Sequence, residues 1–150
     1  MTAPFPHHYI ASVRRNGRGR GELDAPPRQV LQGGAPPEFG GIAEDWSPEH
    51  LLLAAVGLCL ETTFDALATR ERLSFDSWRV RVEGEVDRTA AGLAFTSISA
   101  IVEITAPEDA VEQARAVAHR ARHCLISSSL KVPVDVVTIV TPSDDVRLSA

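Results

Sequence analysis

The sequence is poor in cysteine, and we expect no secretory signal at its start. Only two cysteines, Cys59 and Cys124, occur among 150 residues. The first ten residues lack a basic region followed by an apolar core, so we expect no signal peptide and a location in the reducing cytoplasm. In that compartment a pair of cysteines is more often catalytic or redox-active than structural.

Long apolar runs and a strong charge of either sign are also missing. The uncharged run from Leu51 to Leu60 is far shorter than the roughly 20 apolar residues of a membrane span, so we expect no membrane partner. The formal net charge is −5, and a mildly acidic chain is a poor binder of nucleic acid. With no internal repeat, residues 1–150 suit a single domain.

The most informative stretch present is residues 46–68, which we predict to be a helix. Ser47 is a good N-cap, Pro48 suits the first helical position, and Glu49 places negative charge in the first turn. Apolar residues then fall on every side of the helix, as is typical of a buried helix. Cys59 lies in the middle of this apolar run.

Short strands and a loop should precede the helix. We predict a strand over residues 9–14, a turn at Asn16-Gly17, a return strand over residues 22–24 and a third strand over residues 28–32. The hairpin carries four arginines, which are either solvated or bind an anion: Arg14, Arg15, Arg18 and Arg20. Residues 33–45 are rich in glycine and proline and should hold no regular structure. They form either a wall or lid near the helix or a plain surface connection.

Alternating residues after the helix predict a long hairpin. Trp78, Val80, Val82 and Val86 should share the buried face of one strand, and the return strand over residues 93–104 should bury Ala94, Ile98, Val102 and Ile104. A second helix should begin at residues 106–109. Its apolar stripe should lead to Cys124, and a strand over residues 132–140 should close the sheet.

This order of elements predicts an α+β fold, with a mostly antiparallel sheet and a long buried central helix. Two helices and one sheet cannot cover a helix that is apolar all round, so we expect a second subunit to cover it in an obligate homodimer. His119, His123 and Cys124 supply only three ligands without a zinc spacing, so we expect no metal site.

Three ordered motifs resemble those of the OsmC/Ohr family, the osmotically inducible and organic hydroperoxide resistance proteins. The segment Ser47-Pro-Glu-His-Leu-Leu-Leu-Ala-Ala-Val-Gly-Leu-Cys59 is similar to the family signature, with the same spacing of ten from Glu49 to Cys59. Residues 121–130 resemble the second cysteine segment, and the hairpin between them also matches. The resemblance covers nearly all of the chain after about residue 30 and implies an OsmC-like, intertwined homodimer.

The resemblance implies a thiol peroxidase that reduces organic hydroperoxides without a metal or bound cofactor. Cys59 would be the peroxidatic thiolate and Cys124 the resolving thiol, and the reductant would be a dithiol, typically a lipoylated protein or a small molecule. The alternative is an OsmC-like dimer without peroxidase activity that binds an apolar ligand or a protein partner.

Glu49 would orient an arginine that activates Cys59 in this family. In one branch the arginine precedes Phe-Glu-Gly, where this chain has Glu38 before Phe39-Gly-Gly. In the other branch it lies in the first hairpin, where Arg15 or Arg18 could serve. Since ten helical residues span about 15 Å, Glu49 would have to act on the Cys59 of a partner subunit. We therefore expect an active site shared between subunits.

Overall fold

The computed structural model describes residues 4–143, and the chain divides after Leu52 into two compact units. Each unit has its own three-stranded sheet. The order of elements is three short strands, a long helix, two long strands, two helices and a final strand. This is the predicted α+β order with one additional short helix.

The first unit contains strands β1 (Ser12–Arg15), β2 (Arg20–Asp24) and β3 (Leu31–Gly34), paired antiparallel in the order β1-β2-β3. The predicted hairpin is confirmed. The prediction for residues 33–45 is wrong in part, because Gly33 and Gly34 belong to β3 and Pro37–Phe39 forms a 3₁₀ turn. Gly33 also bridges to Trp46, and a Cβ on Gly33 would lie 2.9 Å from the Trp46 carbonyl oxygen. Glycine therefore permits the close approach of these two backbone segments.

Helix α1 (Pro48–Arg70) begins where the capping residues predict. The Ser47 hydroxyl oxygen accepts a hydrogen bond from the backbone N–H of His50 at 3.2 Å, which satisfies one of the free donors of the first turn. Helix α1 buries one stripe, formed by Val56, Gly57, Leu60, Phe64 and Ala68. On another side of the helix Leu58 is 64% exposed, so a single chain does not bury α1 all round.

Helix α1 is also longer than its central apolar run. With 23 residues and a mean hydropathy of 1.7, it is long and apolar enough to cross a membrane by length and composition alone. The uncharged run Leu51–Leu60, on which the prediction of no membrane partner rests, is less than half of this helix. The buried stripe packs into the protein core, and core helices pass the same test of length and composition.

The second unit contains β4 (Ser77–Thr89), β5 (Gly92–Ala106) and β6 (Val134–Pro142) in the order β4-β5-β6. Strands β4 and β5 form the predicted antiparallel hairpin, whereas β6 pairs with β5 in parallel. A β-bulge changes the predicted pattern, because Glu85 lies opposite Ser97 while Val86 lies opposite Phe95. The extra residue reverses the alternation. Ala94 is therefore exposed, and Phe95 takes the inward position that we predicted for Ala94.

Helix α2 (Val111–Ala121) follows a 3₁₀ turn at Glu108–Ala110. Its buried residues Ala114, Val117, Ala118 and Ala121 join Phe64 and Val102 in the main core cluster. Since α2 ends at Ala121, Cys124 does not continue its stripe as we predicted. Cys124 instead precedes a short helix that the sequence did not reveal, α3 (Leu125–Ser129).

Candidate active site at the two cysteines

The second unit brings Cys59 and Cys124 together, although 65 positions separate them in the sequence. Cys59 lies on α1 and packs against a cluster that contains Val56, Leu60, Ala100 and Cys124. Both are free thiols; Cys59 is partly buried and Cys124 is only 1% exposed. Cys124 is close enough to raise the pKa of the Cys59 thiol. The structure therefore places the two thiols in one apolar cluster.

Helix α3 supplies the polar contacts of the pair. The backbone N–H of Ile126 donates to the Cys59 sulfur at 3.3 Å. The Ser127 hydroxyl lies 2.7 Å from the Cys124 sulfur and donates to the Cys124 carbonyl oxygen at 3.3 Å. Neither Ile126 nor Ser127 was a candidate from sequence. Their only signal was their place within the second cysteine segment of the family resemblance.

Burial raises the pKa of the Cys59 thiol above its ordinary value. The backbone N–H groups of Ile126 and Leu125 act in the opposite direction, while Cys124 raises the pKa further. Within the described part of the second unit, no cation is among the groups that shift this pKa. Two backbone dipoles therefore oppose desolvation only in part, and the thiolate needs a further positive group before it can be abundant at neutral pH.

Glu49 lies in the first unit, in the first turn of α1. Its Oε2 atom is buried and has no hydrogen-bond partner within residues 4–143. A buried carboxylate oxygen without a donor costs about 1–3 kcal/mol or more.

The hairpin arginines differ in what they bind. Arg14 pairs with Glu22 at 2.5 Å, and Arg20 makes two hydrogen bonds to Asp45, each 2.6 Å long. Because carboxylates already neutralise these two guanidinium groups, Arg14 and Arg20 favour the solvated turn over an anion-binding site.

Arg15 and Arg18, the two candidates for activation, are both exposed. The Arg15 side chain donates to the Gly17 carbonyl oxygen at 3.1 Å, and it also lines a cavity in the first unit. Arg18 sits in the turn and is not part of that lining. Glu38 is exposed in the 3₁₀ turn. Of these residues, Arg15 is the best placed beside the start of α1.

The cavity of the first unit has a volume of about 590 Å³. Its walls are the three-stranded sheet and the start of α1, with Trp46, Pro48 and Leu51 among the lining residues. Gly33 and Gly34, from the predicted wall or lid, contribute to one side. The rest of the stretch up to residue 45 does not line it.

His119 and His123, the histidines near Cys124 in the sequence, do not form a metal-ligand cluster within residues 4–143. His119 borders a groove between α2 and β6, while His123 accepts a hydrogen bond from Arg122 at 3.1 Å. Within residues 4–143, no three side chains of His, Cys, Asp or Glu come close enough to hold a metal ion.

A long apolar helix that presents one thiol to a second thiol, beside an antiparallel hairpin, defines a two-cysteine protein of OsmC-like fold. The family model described as OsmC-like protein matches residues 41–138. The chain therefore belongs to the OsmC family. No protein with a curated description matches it in sequence.

Solved structures share the fold at low sequence identity. An OsmC-like protein of unknown function from Vibrio cholerae is 16% identical, with a TM-score of 0.79 over 89% of this chain and 100% of that one. A Legionella pneumophila protein, described as an organic hydroperoxide resistance protein and predicted redox protein, is 21% identical, with a TM-score of 0.69 over 92% and 99%. An organic hydroperoxide resistance protein from Elizabethkingia anophelis is 16% identical, with a TM-score of 0.70 over 93% and 100%.

Proposed function

We propose that this protein is a cysteine-based thiol peroxidase that reduces organic hydroperoxides. The observation that carries the proposal is the packing of Cys59 against the cluster that contains Cys124, with the backbone N–H of Ile126 donating to the Cys59 sulfur. Membership of the OsmC family and the descriptions of the Legionella and Elizabethkingia proteins are consistent with this activity.

In the first step the Cys59 thiolate attacks the distal oxygen of the hydroperoxide. The O–O bond breaks, the alkoxide leaves and takes up a proton, and Cys59 becomes a sulfenic acid. The sulfur is oxidised by two electrons and the hydroperoxide is reduced to an alcohol. The Ile126 N–H, 3.3 Å from the Cys59 sulfur, would stabilise the negative charge of the attacking thiolate.

In the second step the Cys124 sulfur attacks the sulfur of the sulfenic acid. The S–O bond breaks, water leaves, and a Cys59–Cys124 disulfide forms, which protects Cys59 from further oxidation. A dithiol reductant then restores both thiols by exchange and leaves as a disulfide. Such a reductant is maintained in a reducing cytoplasm, where we place this reaction.

The substrate should carry an apolar group. Cys59 packs among apolar side chains such as Val56 and Leu60, so a small, strongly hydrated peroxide gains little from this environment. An alkyl or acyl chain would gain from leaving water. Organic hydroperoxides are therefore better substrates for this site than hydrogen peroxide.

We propose that the active protein is a homodimer with a shared site. Leu58 is exposed on α1 in the single chain, and Glu49 Oε2 lacks a donor. A second copy of the chain would cover Leu58 and supply a donor to the Glu49 carboxylate. Glu49 would then orient an arginine beside the partner subunit's Cys59. Arg15 is the candidate arginine that lines the same cavity as Pro48 and Leu51 at the start of α1.

The proposal is tested by counting thiols after one equivalent of cumene hydroperoxide. We expect the loss of two thiols and an intramolecular Cys59–Cys124 disulfide, detected by mass spectrometry of peptides. Cys59→Ser should abolish turnover. Cys124→Ser should still be oxidised once but should stop at a sulfenic or over-oxidised Cys59. An unchanged thiol count after excess peroxide would refute peroxidase activity.

The second candidate function is an apolar-ligand binding module without peroxide chemistry. The cavity of about 590 Å³ in the first unit and the raised pKa of Cys59 favour it. A binding module should leave both thiols unoxidised and should take up an apolar fluorescent probe. Trp46→Ala should then weaken binding of the probe without changing the thiol count.

A further inference from the structure

Helix α3 carries a hydroxyl group that lies against the sulfur of Cys124. Cys124 is only 1% exposed and shares a cluster with the apolar side chains of Val56, Leu60 and Ala100. The Ser127 hydroxyl oxygen lies 2.7 Å from the Cys124 sulfur, and either atom can be the donor. The spacing of three positions places both side chains on one side of the first turn of α3. The buried thiol therefore has a polar partner within a mainly apolar cluster.

The same hydroxyl group also reaches two backbone carbonyl groups. The Ser127 hydroxyl oxygen lies 3.3 Å from the carbonyl oxygen of Cys124 and 3.4 Å from the carbonyl oxygen of Arg122. A hydroxyl group has one proton to donate and two lone pairs with which it accepts. Ser127 can therefore donate to a carbonyl oxygen while it accepts a hydrogen bond from the sulfur, or it can turn and donate to the sulfur instead.

The two protonation states of a cysteine need opposite hydrogen-bond partners. A thiol has an S–H group to donate, whereas a thiolate can only accept. A thiolate among apolar side chains loses its hydration, and this cost is offset only if a donor reaches the sulfur. Rotation of the Ser127 hydroxyl about one C–O bond provides the Cys124 sulfur with a matching partner in both states. A serine that served only the backbone of α3 would not need to contact the sulfur.

We propose that Ser127 positions the Cys124 sulfur for the resolving step and donates a hydrogen bond to its thiolate. This inference rests on the proposed peroxidase function. Cys124 releases its proton, and its thiolate attacks the sulfur of the Cys59 sulfenic acid. The S–O bond breaks, and the departing hydroxide combines with a proton to form water as the disulfide forms. Ser127 is not consumed, and its hydroxyl returns to a carbonyl oxygen once the sulfur carries no charge.

The test follows the attack by Cys124 in the full chain without using peroxide. One equivalent of the aromatic disulfide DTNB first forms a mixed disulfide with Cys59, the less buried thiol, and releases one coloured aromatic thiolate. The Cys124 thiolate then attacks the Cys59 sulfur, the S–S bond of the mixed disulfide breaks, and a second coloured thiolate leaves. The rate of this second phase reports on Cys124 alone, because the reaction is intramolecular.

Ser127→Ala should slow the second phase about tenfold, because a hydrogen bond to a charged group is lost, and should leave the first phase unchanged. Ser127→Thr keeps the hydroxyl group and should restore most of the native rate. The matched control, Ser129→Ala, removes from the same helix a hydroxyl that donates to the Leu125 carbonyl oxygen at 2.8 Å, and it should keep the native rate. A native second phase in Ser127→Ala would overturn the proposal. Equal slowing in Ser129→Ala would also overturn it, because a weakened α3 would then explain the loss.

Infrared spectroscopy tests the hydrogen bond itself. In a Cys59→Ser chain Cys124 is the only cysteine, and donation of its S–H group to Ser127 lowers the S–H stretching frequency. Adding Ser127→Ala should raise this frequency, whereas adding Ser129→Ala should not; an unchanged band in both would contradict the proposal. If peroxide leaves both native thiols intact while the DTNB rates still separate Ser127→Ala from its control, the peroxidase function is refuted and the role of Ser127 in disulfide formation stands.

Discussion

A mixed dimer tests whether Glu49 acts on the cysteine of the other subunit. Glu49 and Cys59 are ten residues apart on the continuous helix α1, which corresponds to about 15 Å of rise. One glutamate side chain and one hydrogen bond together span only about half of that length. Two copies of α1 packed antiparallel about a two-fold axis would instead bring each Glu49 near the partner's Cys59.

The perturbation is a dimer of one Cys59→Ser subunit and one Glu49→Gln subunit, purified with two different tags. If Glu49 acts across the interface, one of the two sites keeps both residues. About half of the native activity with cumene hydroperoxide should then survive, while each parent homodimer is poor. If Glu49 acts within its own subunit, neither site is complete and the mixed dimer should be as poor as its parents.

The mixed-dimer experiment requires that the native protein is an obligate dimer, which dilution of the native protein tests. Leu58 is 64% exposed in a single chain, so we expect no stable folded monomer when the native protein is diluted. Sedimentation that detects a folded monomer would remove the basis of the argument. Full activity of the Glu49→Gln homodimer would leave Glu49 only a helix N-terminal charge, worth about 0.3–1 kcal/mol of stability.

Three further predictions concern single residues. Because burial raises the pKa of Cys59 in the single chain and the proposed dimer adds Arg15 beside this thiol, alkylation of Cys59 by iodoacetamide in a Cys124→Ser variant should level off at a lower pH with Arg15 present than after Arg15→Gln; identical pH profiles would contradict activation by Arg15. Gly33→Ala should destabilise the fold by about 1–3 kcal/mol in urea, since its Cβ would lie 2.9 Å from the backbone carbonyl oxygen of Trp46, whereas Glu83→Ala at an exposed position should change stability by at most about 0.5 kcal/mol. Arg72 has a left-handed φ of 53° after the end of α1, so Arg72→Gly should stabilise the fold by about 0.5–1 kcal/mol in thermal melts; a lower melting temperature would contradict this.

Local chemistry made the main elements predictable. Ser47 and Pro48 determine where α1 begins, through a hydrogen bond and a fixed dihedral angle that need no tertiary contact. The alternation from Trp78 to Val82 likewise reveals β4. Such signals depend only on neighbours in the sequence, and the structure confirms them.

Features that depend on distant pairing could not be predicted. The bulge between Glu85 and Val86 is a property of two strands in register, and a pattern in either strand alone cannot reveal it. The parallel direction of β6 depends on the path through α2 and α3. The ion pair of Arg20 with Asp45 joins residues 25 positions apart, and no local spacing points to it.

The thiol site likewise has a part that the sequence predicts and a part that depends on tertiary contacts. Family motifs located Cys59 and Cys124, and the structure adds the amide of Ile126, because α3 folds back onto α1 at this point. Neither the sequence motifs nor the contacts within one chain identify the group that activates Cys59. Cys59 has a raised pKa, and Glu49 has a buried oxygen without a donor. A single arginine could donate to Glu49 and also place its positive charge beside Cys59, because a guanidinium has five N–H donors and can bind a carboxylate and a thiolate together. In the proposed dimer Glu49 of one subunit and Cys59 of the other lie at the same interface. One arginine there would therefore both bind the buried carboxylate and lower the pKa of the thiol.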